Sequence, residues 1–286
     1  MIALPLTIGE ILDRSIRVCA RDARSLFLPI VAVAGPFALA QLAVAPENFS
    51  SDLLFSRGGE HSAGASPAAS IFRLIGSLLN QVELASAAFV AATLFGGSPP
   101  HIGAAVKRGF ARLLPMLGVG LTYLFVGIPV WALAALWFYF FSISGPSLSA
   151  LHLLAVGIGA LAAIAVLLPF TLAATLSLAA VATETGSPFD AVEIGLRRTF
   201  GAGLFRRSLV AGLVFALVEG GAGVFEGLLG DGLDLLLHAP FISAVVCVPV
   251  DIALTGLSMV FIVGYFMDAQ LRLDGGRAPM TIEAPA

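Results

Sequence analysis

Six runs of mainly apolar residues divide this sequence, at residues 26–45, 74–95, 113–142, 151–182, 208–229 and 240–267. A helix needs about 20 such residues to cross roughly 30 Å of hydrocarbon, so each run is long enough to be a transmembrane span. Lipid offers no water to satisfy backbone N–H and C=O groups, which makes a helix the structure for runs of this kind. Charged residues are 12% of the chain, against about 25% in soluble globular domains, and that scarcity excludes a water-soluble surface. Thirty-one glycines and many alanines suit close helix packing in a bilayer. The expectation is an all-α fold: a polytopic integral membrane helical bundle, one membrane domain over residues 1–286, with six transmembrane helices. The third and fourth runs exceed the thickness of the hydrocarbon, so they are expected to tilt, to kink at Pro129 or Pro169, or to extend beyond the hydrocarbon.

Orientation follows from where the Lys and Arg residues sit rather than from the net charge of −3. Arg14, Arg17, Arg21 and Arg24 precede the first run; Lys107, Arg108 and Arg112 lie between the second and third. Arg197, Arg198, Arg206 and Arg207 lie between the fourth and fifth, and Arg272 and Arg277 follow the sixth. Only Arg57 and Arg73 fall on the other side. The positive-inside rule therefore places both termini in the cytoplasm of a multi-pass protein of the bacterial inner (plasma) membrane. Residues 46–70, rich in Gly, Ser and Ala, form the long external loop. Residues 1–24 lack the layout of a cleaved signal peptide, so insertion is expected to rely on the first span. Cys19 and Cys247 are expected to be free thiols.

Each cytoplasmic basic stretch, at about residues 7–24, 99–112 and 188–207, reads as an amphipathic helix feeding into a span. In the first, Glu10, Arg14, Arg17, Arg21 and Arg24 recur at steps of three and four, with Ile8, Leu12, Ile16, Cys19 and Ala23 opposite. Thr7 and Glu10 have the spacing of a capping box. The spans after these helices start at regular intervals, which gives either a threefold internal repeat or merely the basic alternate loops of any protein with an even number of spans. Basic helices are drawn to anionic headgroups at about 1 kcal/mol per residue. Arg14, Arg17, Arg21, Arg24, Lys107, Arg108, Arg112, Arg197, Arg198, Arg206 and Arg207 are accordingly candidates for contact with membrane lipids or with a membrane or cytoplasmic protein partner.

Acids inside apolar runs are the other candidates: Glu83, beside Asn80 and Gln81, Glu219, and Asp251. A charge at the centre of a membrane helix costs about 2.5–3.5 kcal/mol, so these groups face the bundle interior. Either they line a polar, proton-coupled path, or they are neutral acids hydrogen-bonded between helices. No metal site, cofactor, catalytic residue or nucleic-acid partner is expected, because His61, His101, His152 and His238 lack ligand spacing and no nucleophile elbow or phosphate loop occurs.

Three segments together resemble a bacterial family, the membrane domain that in some proteins precedes a glycerophosphoryl diester phosphodiesterase domain and in others stands alone. They are TIGEILDRSIRV, with Ile8 to Asp13; SPFDAVEIGLRRTF, with Ala191, Leu196, Arg197 and Arg198; and YFMDAQLRLDGG, with Tyr265, Asp268, Arg272 and Gly275. Gln270 stands where that family often has a second Arg. The resemblance implies the stand-alone form, since the phosphodiesterase resembles a TIM barrel of about 250 soluble residues. Two functions are expected from this reading: a non-enzymatic membrane protein whose amphipathic helices organise lipid or a partner, or a small proton- or ion-coupled transporter built around the buried acids.

Overall fold

The computed structural model describes residues 6–44, 67–143, 150–201, 203–237 and 240–274, and among these residues every regular element is helical. In chain order they are α1 (Ile8–Arg21), α2 (Ala23–Val44), α3 (Pro67–Phe95), α4 (Ile102–Ile143), α5 (Ala150–Thr183), α6 (Pro188–Phe200), α7 (Phe205–Leu237) and α8 (Pro240–Leu273). Five of them, α3, α4, α5, α7 and α8, are long and apolar enough to cross a membrane, a set compatible with a multi-pass membrane protein. The first apolar run falls on α2, where the apolar segment described is the shorter Ala23–Phe37. The external loop proposed for residues 46–70 lies largely outside the described residues.

The helix starts are set by local chemistry. The Thr7 hydroxyl accepts from the Glu10 N–H at 3.2 Å, and the Glu10 carboxylate accepts from the Thr7 N–H at 2.6 Å, which completes the capping box of α1. Ser187 caps α6 in the same way, with Pro188 pre-set for the first turn. Three boundaries differ from the sequence expectation. The stretch expected as a separate amphipathic helix at 99–112 runs without a break into the span as α4, because nothing between Arg112 and Leu117 interrupts the hydrogen-bond ladder and Pro115 is taken into the helix. The stretch at 188–207 is divided: α6 stops at Phe200, Gly203 adopts φ +78, and Arg206 and Arg207 open α7. Arg24 likewise belongs to α2, since α1 ends at Arg21. Pro129 and Pro169, expected as kinks, lie inside α4 and α5 without ending either helix.

Helices α3, α5 and α8 pack against one another at the centre, and α2, α4 and α7 lie around them. Small residues make this possible: Ala85, Ala88, Ala91 and Ala92 of α3 and Ala173, Ala179 and Ala180 of α5 are buried, together with Phe261, Tyr265 and Phe266 of α8. In lipid, such contacts stabilise through close van der Waals approach rather than through expulsion of water. Two of their buried hydroxyls are satisfied within their own helix, Ser86 donating to Val82 O at 2.7 Å and Ser177 to Ala173 O at 2.8 Å. Outward faces are apolar: Leu121, Leu124, Phe125 and Ile128 on α4 and Leu213, Leu217, Val224 and Leu228 on α7 are exposed, as lipid-facing residues would be.

The three basic segments dock on the central helices at one end of the bundle. α1 packs against α8, the start of α4 against α3, and α6 against α5. Equivalent positions make the contacts, since Ile11, Ala105 and Ala191 are buried, and one turn later so are Ser15, Gly109 and Gly195. The approach is close: a Cβ on Gly195 would collide with Ser177 Oγ and stand 2.5 Å from Ala173 O, and one on Gly109 would stand 2.6 Å from Val82 O.

Candidate functional site

Most charged groups among the described residues lie at this basic end, and the structure sorts its cations into an inward set and an outward set. The inward set begins with Asp268, near the end of α8. Its side chain is 1% exposed, and its carboxylate accepts from the Leu6 N–H at 2.6 Å, from Arg207 Nη2 at 2.7 Å and from Arg272 Nε at 2.9 Å. Both arginines also donate to the Leu6 carbonyl, Arg272 at 2.8 Å. The backbone entering α1 is thereby fastened to α7 and α8. Asp268, Arg207 and Arg272 act here as a clasp that holds Leu6 against the last span.

Below the clasp a second chain of bonds joins α8 to α6. Ser208 Oγ lies 2.8 Å from the Tyr265 hydroxyl and donates to Thr199 O at 2.7 Å. Ser208 has a single hydroxyl proton, so Tyr265 must be the donor to Ser208. The fourth residue singled out in this segment, Gly275, lies outside the described residues.

Arg198 is set apart from the other basic residues by its burial. It was expected to face headgroups, yet it is 6% exposed. Its Nη2 donates to both carboxylate oxygens of Glu184, at 2.9 and 3.0 Å, and its guanidinium lies 3.6 Å from the centroid of the Phe266 ring. Burial draws its pKa below the ordinary arginine value, while the charges of Glu184 and Asp274 oppose that shift. Glu184 closes α5 fourteen residues earlier, and the helical period of α6 gives no hint of this partner. Arg198 Nη1 has no hydrogen-bond partner, nor does the buried Gln270 Oε1, and both residues line a cavity of about 140 Å³ with Ile194, Arg197, Leu273 and Asp274.

Three more expected headgroup ligands, Arg108, Arg14 and Arg112, also make contacts within the bundle. Arg108 donates from Nε to Ala182 O at 2.7 Å and from Nη2 to Thr183 O at 3.1 Å, capping the carbonyl end of α5, and it lies 4.9 Å from the Phe89 ring centroid. Arg14 lies 5.4 Å from that of Phe95. Arg112 reaches the turn at Gly186, whose substituent would collide with its Nη1.

The outward set is Arg17, Arg21, Arg24, Lys107, Arg197 and Arg206, all exposed. Arg17 pairs with Asp13 on the same face. These cations are interleaved with large apolar residues at the same end: Ile16, Phe110, Phe189, Leu196, Phe200 and Phe205 are exposed, Phe189 at 74%, and Phe200 stacks on Phe205 at 6.0 Å. The basic period is the sequence signal that could have found this face, and the exposure of its aromatics is visible only in the structure.

The acids inside the spans are not gathered into one site by the described residues. Glu83 is buried in α3 at 1% exposure, with Asn80 and Gln81 half-buried above it, and Glu219 is half-buried on α7. The side chain of Asp251 lies outside the described residues. Among the described residues no cluster of His, Cys, Asp or Glu could hold a metal ion. Comparison with known proteins adds no relative: no family model, no curated protein and no solved structure matches the chain.

Proposed function

We propose that this chain is a six-span protein of the bacterial inner membrane, with both termini cytoplasmic, and that its basic end is a non-enzymatic platform that engages anionic lipid headgroups. The sixth span in this reading is α2, and the three segments quoted above carry the assignment to the phosphodiesterase-associated membrane domain family. Three copies of amphipathic helix, span, turn and span account for the arrangement. Support for the repeat comes from the matched positions Thr7, His101 and Ser187 at the helix starts, Ile11, Ala105 and Ala191 one turn in, and Ser15, Gly109 and Gly195 beyond them, each docked on a central helix. The Leu6 to Asp268 clasp closes the ring by holding the first segment against the last span.

The observation that carries the functional reading is the outward face at this end, where exposed Phe110, Phe189, Leu196, Phe200 and Phe205 alternate with Lys107, Arg197 and Arg206. Exposed aromatic and aliphatic side chains are costly in water. Set among cations, they match the membrane interface, where apolar groups enter the acyl boundary and arginines reach phosphates. The test is lipid retention by the purified full chain: wild type should hold phosphatidylglycerol in a salt-sensitive manner, and replacing Lys107, Arg197 and Arg206 by Glu should reduce it several-fold. Retention unchanged by those charge reversals would refute the reading.

An ion-coupled transporter is the second reading, and it is favoured by one observation, the burial of Glu83 in a central span. A carboxylic acid at that depth is either neutral or part of a relay. Replacing Glu83 by Gln should then abolish pH-driven uptake in proteoliposomes while leaving the fold intact, because an amide does not titrate.

A further inference from the structure

The cavity between α6 and the end of α8 has a lining that specifies a ligand more closely than the outward basic face does. Its cations are Arg197 at the rim and Arg198 in the wall; its anion is Asp274; and Gln270 contributes a buried carbonyl oxygen with no partner. Arg198 is more than nine-tenths buried and keeps one guanidinium nitrogen unbonded, although Glu184 already occupies the other. Buried donors and acceptors left unpaired are costly, and a partner supplied from outside would relieve that cost. With Glu184 behind Arg198, the two cations face two carboxylates. A purely anionic ligand would meet Asp274 as a like charge, and a purely cationic one would meet the arginines. A ligand bearing both charges satisfies every group.

We infer that this cavity binds a phosphoethanolamine group, with the phosphate toward Arg197 and Arg198 and the primary ammonium toward Asp274 and Gln270 Oε1. The volume, about 140 Å³, is room for a small headgroup and not for a whole lipid. The acyl chains would remain outside, along the exposed apolar face of α6. A primary ammonium has three N–H donors for the carboxylate and the amide oxygen, whereas a quaternary choline has none. Glycerol headgroups lack the cation altogether. The inference rests on the headgroup-binding reading of the basic end and gives it a chemical preference.

Native mass spectrometry of the full chain tests it, with equimolar phosphatidylethanolamine, phosphatidylcholine and phosphatidylglycerol of matched acyl chains. Wild type should retain one phosphatidylethanolamine in preference to either competitor by about tenfold, the factor expected from one hydrogen bond to a charged group. Asp274→Asn, at an exposed position, should bring that ratio close to one, and Gln270→Leu should lower it independently. Free phosphoethanolamine is the second arm: displacement of the lipid at equal concentration identifies a soluble carrier of the same group, and failure to displace it identifies the lipid. Equal retention of all three lipids by wild type, or a preference untouched by both substitutions, would overturn the inference. Salt-sensitive retention of phosphatidylglycerol through Lys107, Arg197 and Arg206 would survive that outcome. Wild type that shows no salt-sensitive retention of phosphatidylglycerol but keeps its ethanolamine selectivity would instead refute the outward platform and leave the cavity assignment standing.

Discussion

Replacing Asp268 by Ala removes the acceptor at the centre of the clasp. Three hydrogen bonds end on its carboxylate, two of them from guanidinium groups, and its side chain is 1% exposed. Removing one member of a buried ion pair costs about 3–5 kcal/mol, because the partner's charge is left without compensation. Here the partners are partly hydrated, Arg207 at 17% exposure and Arg272 at 31%, so water recovers some of that cost. The expected loss is therefore about 2–4 kcal/mol. Asp268→Asn keeps an oxygen for the Leu6 N–H but loses the charge, and should cost about 1–2 kcal/mol. Unfolding in mixed micelles with rising sodium dodecyl sulfate, followed by circular dichroism, gives the global value. Hydrogen exchange gives the local one: amides of α1 should lose protection in Asp268→Ala while those of α5 keep theirs. Wild-type stability in Asp268→Ala, or unchanged protection of α1, would refute the role of the clasp.

Gly195→Ala should destabilise by about 1–3 kcal/mol in the same unfolding assay, since the added methyl meets the backbone of α5, whereas Gly9→Ala, facing open space, should be neutral or stabilising. Burial pushes the Cys19 thiol up to about 11, so at pH 8 its alkylation should be roughly two orders of magnitude slower than that of a free cysteine; peptide mapping separates it from Cys247. Its bonds to the Thr7 N–H and hydroxyl hold the Glu10 carboxyl below the ordinary glutamate value, so the capping box contributes fully above the unfolded pKa and is lost as pH falls through the folded one. Protection at the start of α1 should drop in acid; Glu10→Gln should remove most of that pH dependence, whereas Thr7→Ala, which keeps the backbone N–H, should remove only the smaller part.

The helical architecture was legible because lipid leaves an apolar run of this length one structure, and the two clearest helix starts were legible because Thr7, Glu10 and Ser187 act on backbone within four residues. Local signals also set the limit. The join of residues 102–112 to the span within α4 has no marker, since both halves share one helical period and Pro115 is tolerated inside. Arg197 and Arg198 are adjacent in sequence and were assigned one role, but a turn of about 100° per residue separates them, and only the outer one meets solvent. Arg198 finds Glu184 across a turn, and Asp268 finds Leu6 at a separation of 262 residues, pairings that no periodicity encodes. The proposed headgroup face was legible in its arginines and incomplete without Phe110, Phe189 and Phe205, whose exposure no sequence signal reports.

The platform account is tested most directly at Phe189, the most exposed of those aromatics. The measurement is fluorescence quenching of a Phe189→Trp variant, with both native tryptophans replaced by Phe, in vesicles of phosphatidylethanolamine and phosphatidylglycerol that carry bromine either high on the acyl chains or at their ends. The account predicts blue-shifted emission, quenched by the shallow bromines more than by the deep ones and shielded from aqueous acrylamide. Emission typical of water, quenched by acrylamide and indifferent to bromine at either depth, would contradict it.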